Sequence, residues 1–199
     1  MGDIESRYEP TLVTSLSTLG IHIVDVALGS YHTVALSTKG NVYAWGYNSN
    51  GQVGTWDTTN QALPTRLKRV EPGFLFISSI AAGAYHTVCV SDRGDILAFG
   101  SNREGQLGTG LPDMESHPVA TKLDVPYKRG LRVLCGAYHC IAVSIDLGIY
   151  AWGWNKYGQL GLGGTENRYT PTELTLPAGI PGFPVEFATG YAHSIMVLQ

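Results

Sequence analysis

Short apolar runs, separated by turns that contain glycine, make up most of the chain. The runs are rich in β-branched, aromatic and small residues and are too short for helices, so they are typical of β-strands. In the first part of the chain they are Val24–Leu28, Thr33–Ser37, Val42–Trp45 and, after Pro64, Thr65–Val70. The tetrads Thr38–Asn41 and Asp92–Asp95 carry a glycine that is free to take a positive φ, as a hairpin turn requires. The pattern predicts an all-β fold of antiparallel strands.

The same pattern recurs about every 54 residues. A Gly-x-x-His motif occurs four times, as Gly29 and His32, Gly83 and His86, Gly136 and His139, and Gly190 and His193. Each of the first three histidines is followed by an aromatic strand that ends in glycine, at Gly46, Gly100 and Gly153. Two residues later begins a second shared string, Asn-x-x-Gly-Gln-[Leu/Val]-Gly. Two motifs in one register predict a repeat fold.

Four strands in a unit of this length are typical of a β-propeller blade, whose face is buried only against a neighbouring blade. We predict a single repeat domain over residues 1–199, with blades at 24–70, 78–123 and 132–176. The last strand of a partial blade is expected at 7–16, and the first two strands of another at 185–199. The chain therefore holds about 3.7 blades. This number favours an open arc over a small ring with a defective fourth blade.

The two motifs together resemble the repeat of the regulator of chromosome condensation superfamily, from Pro10 to Gln199. The resemblance implies a propeller that usually closes with seven blades, so two copies of the chain would supply about one ring. It also implies a non-catalytic protein–protein interaction module that acts as a scaffold or regulatory subunit. The alternatives are a guanine-nucleotide exchange factor for a Ran-like small GTPase, a secreted inhibitor, and a truncated relative of a HECT-type ubiquitin ligase.

Composition narrows the partners and the compartment. The formal net charge of −3 gives no electrostatic reason to expect nucleic acid. The polar N-terminus lacks a signal-peptide pattern, and no run of about 18 apolar residues occurs, so we predict an intracellular protein, cytoplasmic or nuclear, without a membrane partner. Cys89, Cys135 and Cys140 have no Cys-x-x-Cys spacing and are predicted to be buried free thiols. The expected partners are a protein, with a small GTPase as one option, and a second copy of the chain joined through open blade edges.

Neither catalytic nor cofactor chemistry is predicted. The chain contains no phosphate-binding Gly-x-x-x-x-Gly-Lys-[Ser/Thr] string and no Gly-x-Ser-x-Gly elbow. Blade symmetry places the repeated histidines at equal radius in different blades, so they do not meet at the metal–nitrogen distance of roughly 2 Å. Each imidazole is instead expected to bind a backbone group of a neighbouring strand. The repeated glycines and histidines are therefore predicted to be structural.

Partner specificity is expected where the copies differ. Trp56 stands in a loop where the other copies have glycine, and Trp154 follows Gly153 where the others have tyrosine or serine. Arg103 and Glu104 occupy the shared loop of the second copy, and Tyr157 occupies that of the third. These five residues are the predicted partner-binding positions.

Overall fold

The computed structural model describes residues 2, 5–68, 76–110, 112–123, 125–126, 131–146, 148–176 and 184–199. The elements are α1 (Thr14–Thr18), β1 (Ile23–Leu28), β2 (His32–Ser37), β3 (Val42–Gly46), β4 (Gln61–Arg66), β5 (Ile77–Ala82), β6 (His86–Ser91), β7 (Ile96–Ser101), β8 (Ser116–Leu123), β9 (Arg132–Cys135), β10 (His139–Val143), β11 (Ile149–Gly153), β12 (Arg168–Glu173), β13 (Pro184–Thr189) and β14 (Ser194–Leu198). The predicted end of the first blade, residues 69–70, lies outside the described residues.

The strands form three antiparallel four-stranded sheets and one hairpin. The first blade is β1–β4, the second is β5–β8, the third is β9–β12, and β13 with β14 forms the terminal hairpin. Each strand pairs with the strand that follows it in its blade. The central hairpins share one register, in which Leu36 pairs with Val42, Val90 with Ile96, and Val143 with Ile149. The sheets confirm the predicted all-β architecture of four-stranded propeller blades.

The hydrophobic core lies between successive blades. Val34 and Val53 of the first blade pack with Phe99 of the second, and Leu107 of the second packs with Trp152 of the third. The third blade contacts the terminal hairpin in the same way, through a smaller cluster. Each sheet thus buries its apolar face against its neighbour, as stacked repeats require.

The proline of each repeat lies inside the fourth strand, and the predicted strand start after Pro64 was wrong. Pro64, Pro118 and Pro171 fall within β4, β8 and β12. In the first blade Ala44 pairs with Thr65 but Gly46 pairs with Gln61, so the ladder is interrupted at the proline. Proline has no N–H to donate and is tolerated at such irregularities of an outer strand.

The predicted strand over residues 7–16 does not form. This segment has no strand up to Val13 and then enters the short helix α1, whose Leu16 is buried. A fourth blade strand needs a third strand to pair with, and the terminal hairpin has two strands. The segment therefore lacks the partner that would hold it extended.

The faces at the two ends of the repeat series are exposed. Val26 and Leu28 of β1 are largely exposed, as are Ile195 and Val197 of β14. The equivalent positions of the second blade, Ile80 and Ala82, are buried or half-buried against their neighbours. Within the described part of the chain, no helix has the length and apolar character needed to cross a membrane.

Candidate functional site

A histidine crosses each junction between consecutive blades. The Nε2 atom of His32 lies 2.9 Å from the Oγ1 atom of Thr87, and that of His139 lies 3.0 Å from the Oγ atom of Ser194. In each case the partner belongs to the following sheet. The imidazole therefore binds a side-chain hydroxyl group and not the predicted backbone group. The hydroxyl group in turn binds a backbone carbonyl oxygen. Thr87 donates to the Gln52 carbonyl oxygen at 2.7 Å.

The glycine three positions before each histidine leaves room for the imidazole ring. A Cβ atom at Gly83 would lie 2.0 Å from the Cε1 atom of His86 and 2.7 Å from the carbonyl oxygen of Gly136. Gly29 and Gly190 are filled by their histidines in the same way. The Gly-x-x-His motif is thus a packing unit.

Burial keeps His32 and His139 neutral. Removal from water lowers the pKa of His32 to about 4, with the nearby His86 as the second cause. Burial likewise lowers the pKa of His139 to about 4, assisted by His86 and His193. A neutral imidazole can share one proton with a hydroxyl group, so the junctions are suited to structure and not to charge recognition.

Buried amides fix the loops that follow the third strands. The Oδ1 atom of Asn102 accepts the N–H of Leu107 at 3.1 Å, and the Oε1 atom of Gln106 accepts that of Glu104 at 2.8 Å. The first and third blades repeat both bonds with their own residues. The side chains on these loops are therefore presented by a rigid backbone.

Seven aromatic rings form a continuous series across the blades, which we call the aromatic band. The band consists of Tyr31, Tyr47, Tyr85, Tyr138, Trp154, Tyr157 and Tyr191. Tyr85 connects the blades, with its ring centroid 5.9 Å from that of Tyr31 and 6.5 Å from that of Tyr138. Trp154 lies 5.9 Å from Tyr138 and 5.3 Å from Tyr157.

The backbone that holds the buried histidines also positions the band. Tyr31, Tyr85 and Tyr138 each immediately precede a buried histidine. Their carbonyl oxygens accept the N–H groups of Tyr47, Ser101 and Trp154, at 2.8, 2.8 and 2.9 Å. These bonds tie the turn before each second strand to the end of the third strand, and thereby place aromatic side chains from both loops next to each other.

The band is both exposed and amphipathic. Tyr31, Tyr157 and Tyr191 have more than 60% of their surface exposed, at 64%, 68% and 63%. Burial is the main cause that raises the pKa of Tyr138 to about 12. Its hydrogen bond with Tyr191 and the electrostatic effects of Tyr191, Tyr85 and Glu104 also raise this pKa. The Tyr138 phenol therefore stays neutral at physiological pH. Rings with polar tips in this arrangement can bind apolar and hydrogen-bonding groups of a partner.

The structure brings some of the predicted partner-binding residues together. Trp154 and Tyr157 belong to the band, and Glu104 lies close enough to affect Tyr138 while its Oε2 atom accepts from Asn167 at 3.1 Å. Arg103 is exposed on the same loop as Glu104.

Trp56 takes a different position. Its half-exposed ring lies 5.9 Å from the Lys68 Nζ atom, at a backbone φ of +66°. It has no ring contact with the band within the residues that the structure describes. Trp56 is thus the predicted partner-binding residue that the structure separates from the band.

Apart from Tyr157, the tyrosines of the band were not among the predicted binding residues. A signal was present in the sequence, because a residue next to a buried strand histidine faces away from the core. Tyr31, Tyr85 and Tyr138 share that position. Their contact with each other across blades depends on how the sheets are stacked, which a single repeat does not show.

One group of potential metal ligands occurs among the described residues. The ligand atoms of His86, Cys135 and Cys140 all lie within 4.8 Å of one another. Cys135 also lines a cavity between the first strands of the blades, which is otherwise walled largely by glycine and alanine, including Gly83 and Ala137. The repeated histidines lie in separate blades as predicted, but one of them meets two thiols.

The sequence is similar to a known family and to several of its members. A sequence model described as "RCC1-like domain" matches residues 2–199. The chain is 32% identical over 200 residues to the ultraviolet-B receptor UVR8 of Arabidopsis thaliana, covering 98% of this chain and 42% of that protein. It is also 32% identical over 179 residues to the probable E3 ubiquitin-protein ligase HERC6 of Homo sapiens, covering 88% of this chain and 17% of the ligase.

A solved structure shows the same blade arrangement. Prp20p of Saccharomyces cerevisiae is 27% identical to this chain and superposes with a TM-score of 0.74, over 88% of this chain and 43% of Prp20p. The chain therefore spans less than half the length of each of these three proteins.

Proposed function

The chain belongs to the RCC1-like domain family of β-propellers, and from this premise we propose that it is a non-catalytic protein–protein interaction module that binds its partner through the aromatic band. The observation that carries the proposal is the unbroken series of ring contacts across the blades, with three rings more than 60% exposed. Within this proposal the chain acts inside the cell as a scaffold or regulatory subunit.

The chemistry of the band suits a protein surface. Tyrosine and tryptophan are enriched at the energetic centres of protein interfaces, because they bury a large area at a small cost in conformational entropy. Here the loops that carry them are already fixed by buried amides, so little ordering is needed on binding. A contiguous exposed aromatic patch of this kind marks an interaction site.

The proposal is tested by comparing what wild-type and variant chains retain from a cell extract. We expect Tyr31→Ala and Tyr157→Ala to lose, by about tenfold or more, a partner that the wild type retains, because each removes an exposed ring of the band. Trp56→Ala is the matched control, since it removes an exposed ring outside the band. Quantitative mass spectrometry gives the ratio, and unchanged retention by both tyrosine variants would contradict the proposed surface.

A second candidate is guanine-nucleotide exchange on a Ran-like GTPase. It is favoured by the similarity to Prp20p, whose structure is described together with its binding to Gsp1p and histones. The release of fluorescent GDP from a Ran-type GTPase distinguishes the two functions. An interaction module leaves the release rate at its intrinsic value, whereas an exchange factor accelerates it when added in catalytic amounts.

The similarity to ubiquitin ligases is compatible with the same role. The probable ligase HERC6 matches this chain over 17% of its own length. In such a protein a segment like this chain would supply recognition while another region supplies catalysis. The experiment with the band variants applies equally when the chain is part of a larger protein.

A further inference from the structure

The junction between the second and third blades differs in chemistry from the other two. At each of the three junctions a histidine contacts a residue of the next sheet. That residue pairs across strands with the residue that immediately precedes the glycine of the Gly-x-x-His motif. These cross-strand pairs are Ala82 with Thr87, Cys135 with Cys140, and Thr189 with Ser194, reached by His32, His86 and His139 respectively. The second junction alone among these three combines an imidazole with two thiols.

The distances suit a shared ion. The Nε2 atom of His86 lies 3.1 Å from the Sγ atom of Cys140, which lies 3.1 Å from the Sγ atom of Cys135. The neighbouring pair, Gly136 and His139, is hydrogen-bonded, so Cys135 and Cys140 form a pair of the closely spaced, non-hydrogen-bonded type. A zinc ion about 2.0 to 2.3 Å from each ligand atom fits a triangle of this size after small side-chain adjustments.

The proton of Cys140 is not needed to satisfy the carbonyl group beside it. At the other junctions Thr87 and Ser194 donate to glutamine carbonyl oxygens at 2.7 and 2.8 Å. At the second junction the corresponding oxygen, that of Gln106, accepts the Trp152 indole N–H at 3.0 Å, while the Sγ atom of Cys140 is 3.6 Å away. Cys140 can therefore release its proton to become a metal ligand without leaving a buried carbonyl group unpaired.

The charge of the three ligands and the access to the site from the cavity both favour a zinc ion. Two thiolates and a neutral imidazole balance one divalent cation, so the buried junction would carry no net charge. Mixed thiolate and imidazole ligands favour Zn²⁺ among the divalent ions. Cys135 lines the cavity between the first strands, which gives an ion a route to the site.

We propose that His86, Cys135 and Cys140 bind one Zn²⁺ ion through Nε2 and the two Sγ atoms, with the fourth coordination position facing the cavity. The ion would join the second blade to the third, because His86 lies in β6 while the cysteines lie in β9 and β10. Metal binding would then stabilise this junction and leave the other two unchanged.

Cobalt substitution tests the site directly. The reduced, metal-free chain is titrated with Co²⁺, and we expect the visible absorption of a tetrahedral cobalt ion with a thiolate charge-transfer band, saturating at one equivalent. Added Zn²⁺ should remove both signals and raise Tm. Absence of these bands while thiol titration shows all cysteines reduced would overturn the proposal.

Two variants and a control localise the signal. Cys135→Ala combined with Cys140→Thr reproduces the residues of the first junction, Ala82 and Thr87, and should abolish the cobalt bands and the zinc-dependent rise in Tm. If that variant does not fold, Cys135→Ala alone tests the same loss, because it changes only the thiol that lines the cavity. Cys89→Ala is the matched control, since Cys89 occupies the repeat position of Ala35, and it should bind cobalt as the wild type does. Cobalt bands that persist without Cys135 would exclude the site.

Discussion

His32 and His139 are buried at blade junctions, where a protonated imidazole would lose the stabilisation that water gives it. In the fold the pKa of each is held at about 4, below the ordinary 6.5. Both histidines therefore take up protons in the unfolded chain at a higher pH than in the folded protein. Their contribution to stability is complete above pH 6.5 and is lost as the pH falls toward 4.

We therefore predict that the free energy of unfolding, measured with urea, begins to fall near pH 6.5, before most carboxylates are protonated. His139→Ala should be less stable than the wild type by about 1 to 3 kcal/mol at neutral pH and should show a smaller slope between pH 6.5 and 4. His22→Ala is the control, because His22 is exposed. A wild-type stability that is flat over this interval would contradict the prediction.

The partners of these histidines show what a sequence conveys at the scale of a residue. The periodic positions of Gly29 and His32 could be read from the chain because identical local strings recur. The hydroxyl group that His32 meets belongs to Thr87, in another sheet, and only the stacking of the blades selects it over a backbone group. Trp154 and Tyr157 of the aromatic band were predicted as binding residues, but the continuity of the band was not, since its ring contacts also cross from one blade to the next.

The strands themselves followed from local pattern, with two exceptions that concern their edges. A strand was predicted to follow Pro64, but β4 contains this proline at a point where its pairing with β3 is irregular. Residues 7–16 carry the repeat register of a fourth strand but have no third strand to pair with in the terminal hairpin. Strand formation in both places depends on the neighbouring strand as much as on the residues themselves.

At the scale of the element, we predict that Gly100→Ala disrupts the second blade. Gly100 ends the apolar part of β7 with a φ of +114°, and an added Cβ would lie 2.5 Å from the carbonyl oxygen of Tyr85 and 2.7 Å from the Cα atom of His86. Both contacts are with backbone, which cannot rotate away. The free energy of unfolding, measured with urea, should fall by about 3 kcal/mol or more.

Gly164→Ala serves as the comparison for that variant. An added Cβ at Gly164 meets no atom within 4 Å, so its effect should stay within about 0.5 kcal/mol. Equal stability of the two variants would show that β7 tolerates a side chain at its end and that the close approach of Tyr85 is not a constraint.

At the scale of the whole molecule, exposed apolar residues at both ends of the blade series favour self-association. Val26 and Leu28 in β1 and Ile195 in β14 occupy faces that neighbouring blades would otherwise cover. We predict that light scattering of the chain gives a mass of about twice 21.4 kDa at micromolar concentration.

A charge in the exposed face of β1 should reverse this association. Val26→Asp is expected to yield the monomer mass, because burial of an unpaired carboxylate in the interface is unfavourable. Val119→Asp, at an exposed valine of β8, should leave the mass unchanged. A wild-type chain that is monomeric at all concentrations tested would contradict association through these faces.

The histidine bonds between blades all point the same way along the chain. His32 reaches the second blade, His86 the third and His139 the terminal hairpin, so each imidazole depends on a repeat that is synthesised after its own. While the chain emerges from the ribosome, a blade is therefore complete in sequence before its buried histidine has a partner. Native packing of a blade should therefore be completed only after the next repeat has been synthesised. Until then the buried histidine of the most recently synthesised blade lacks its hydrogen-bond partner.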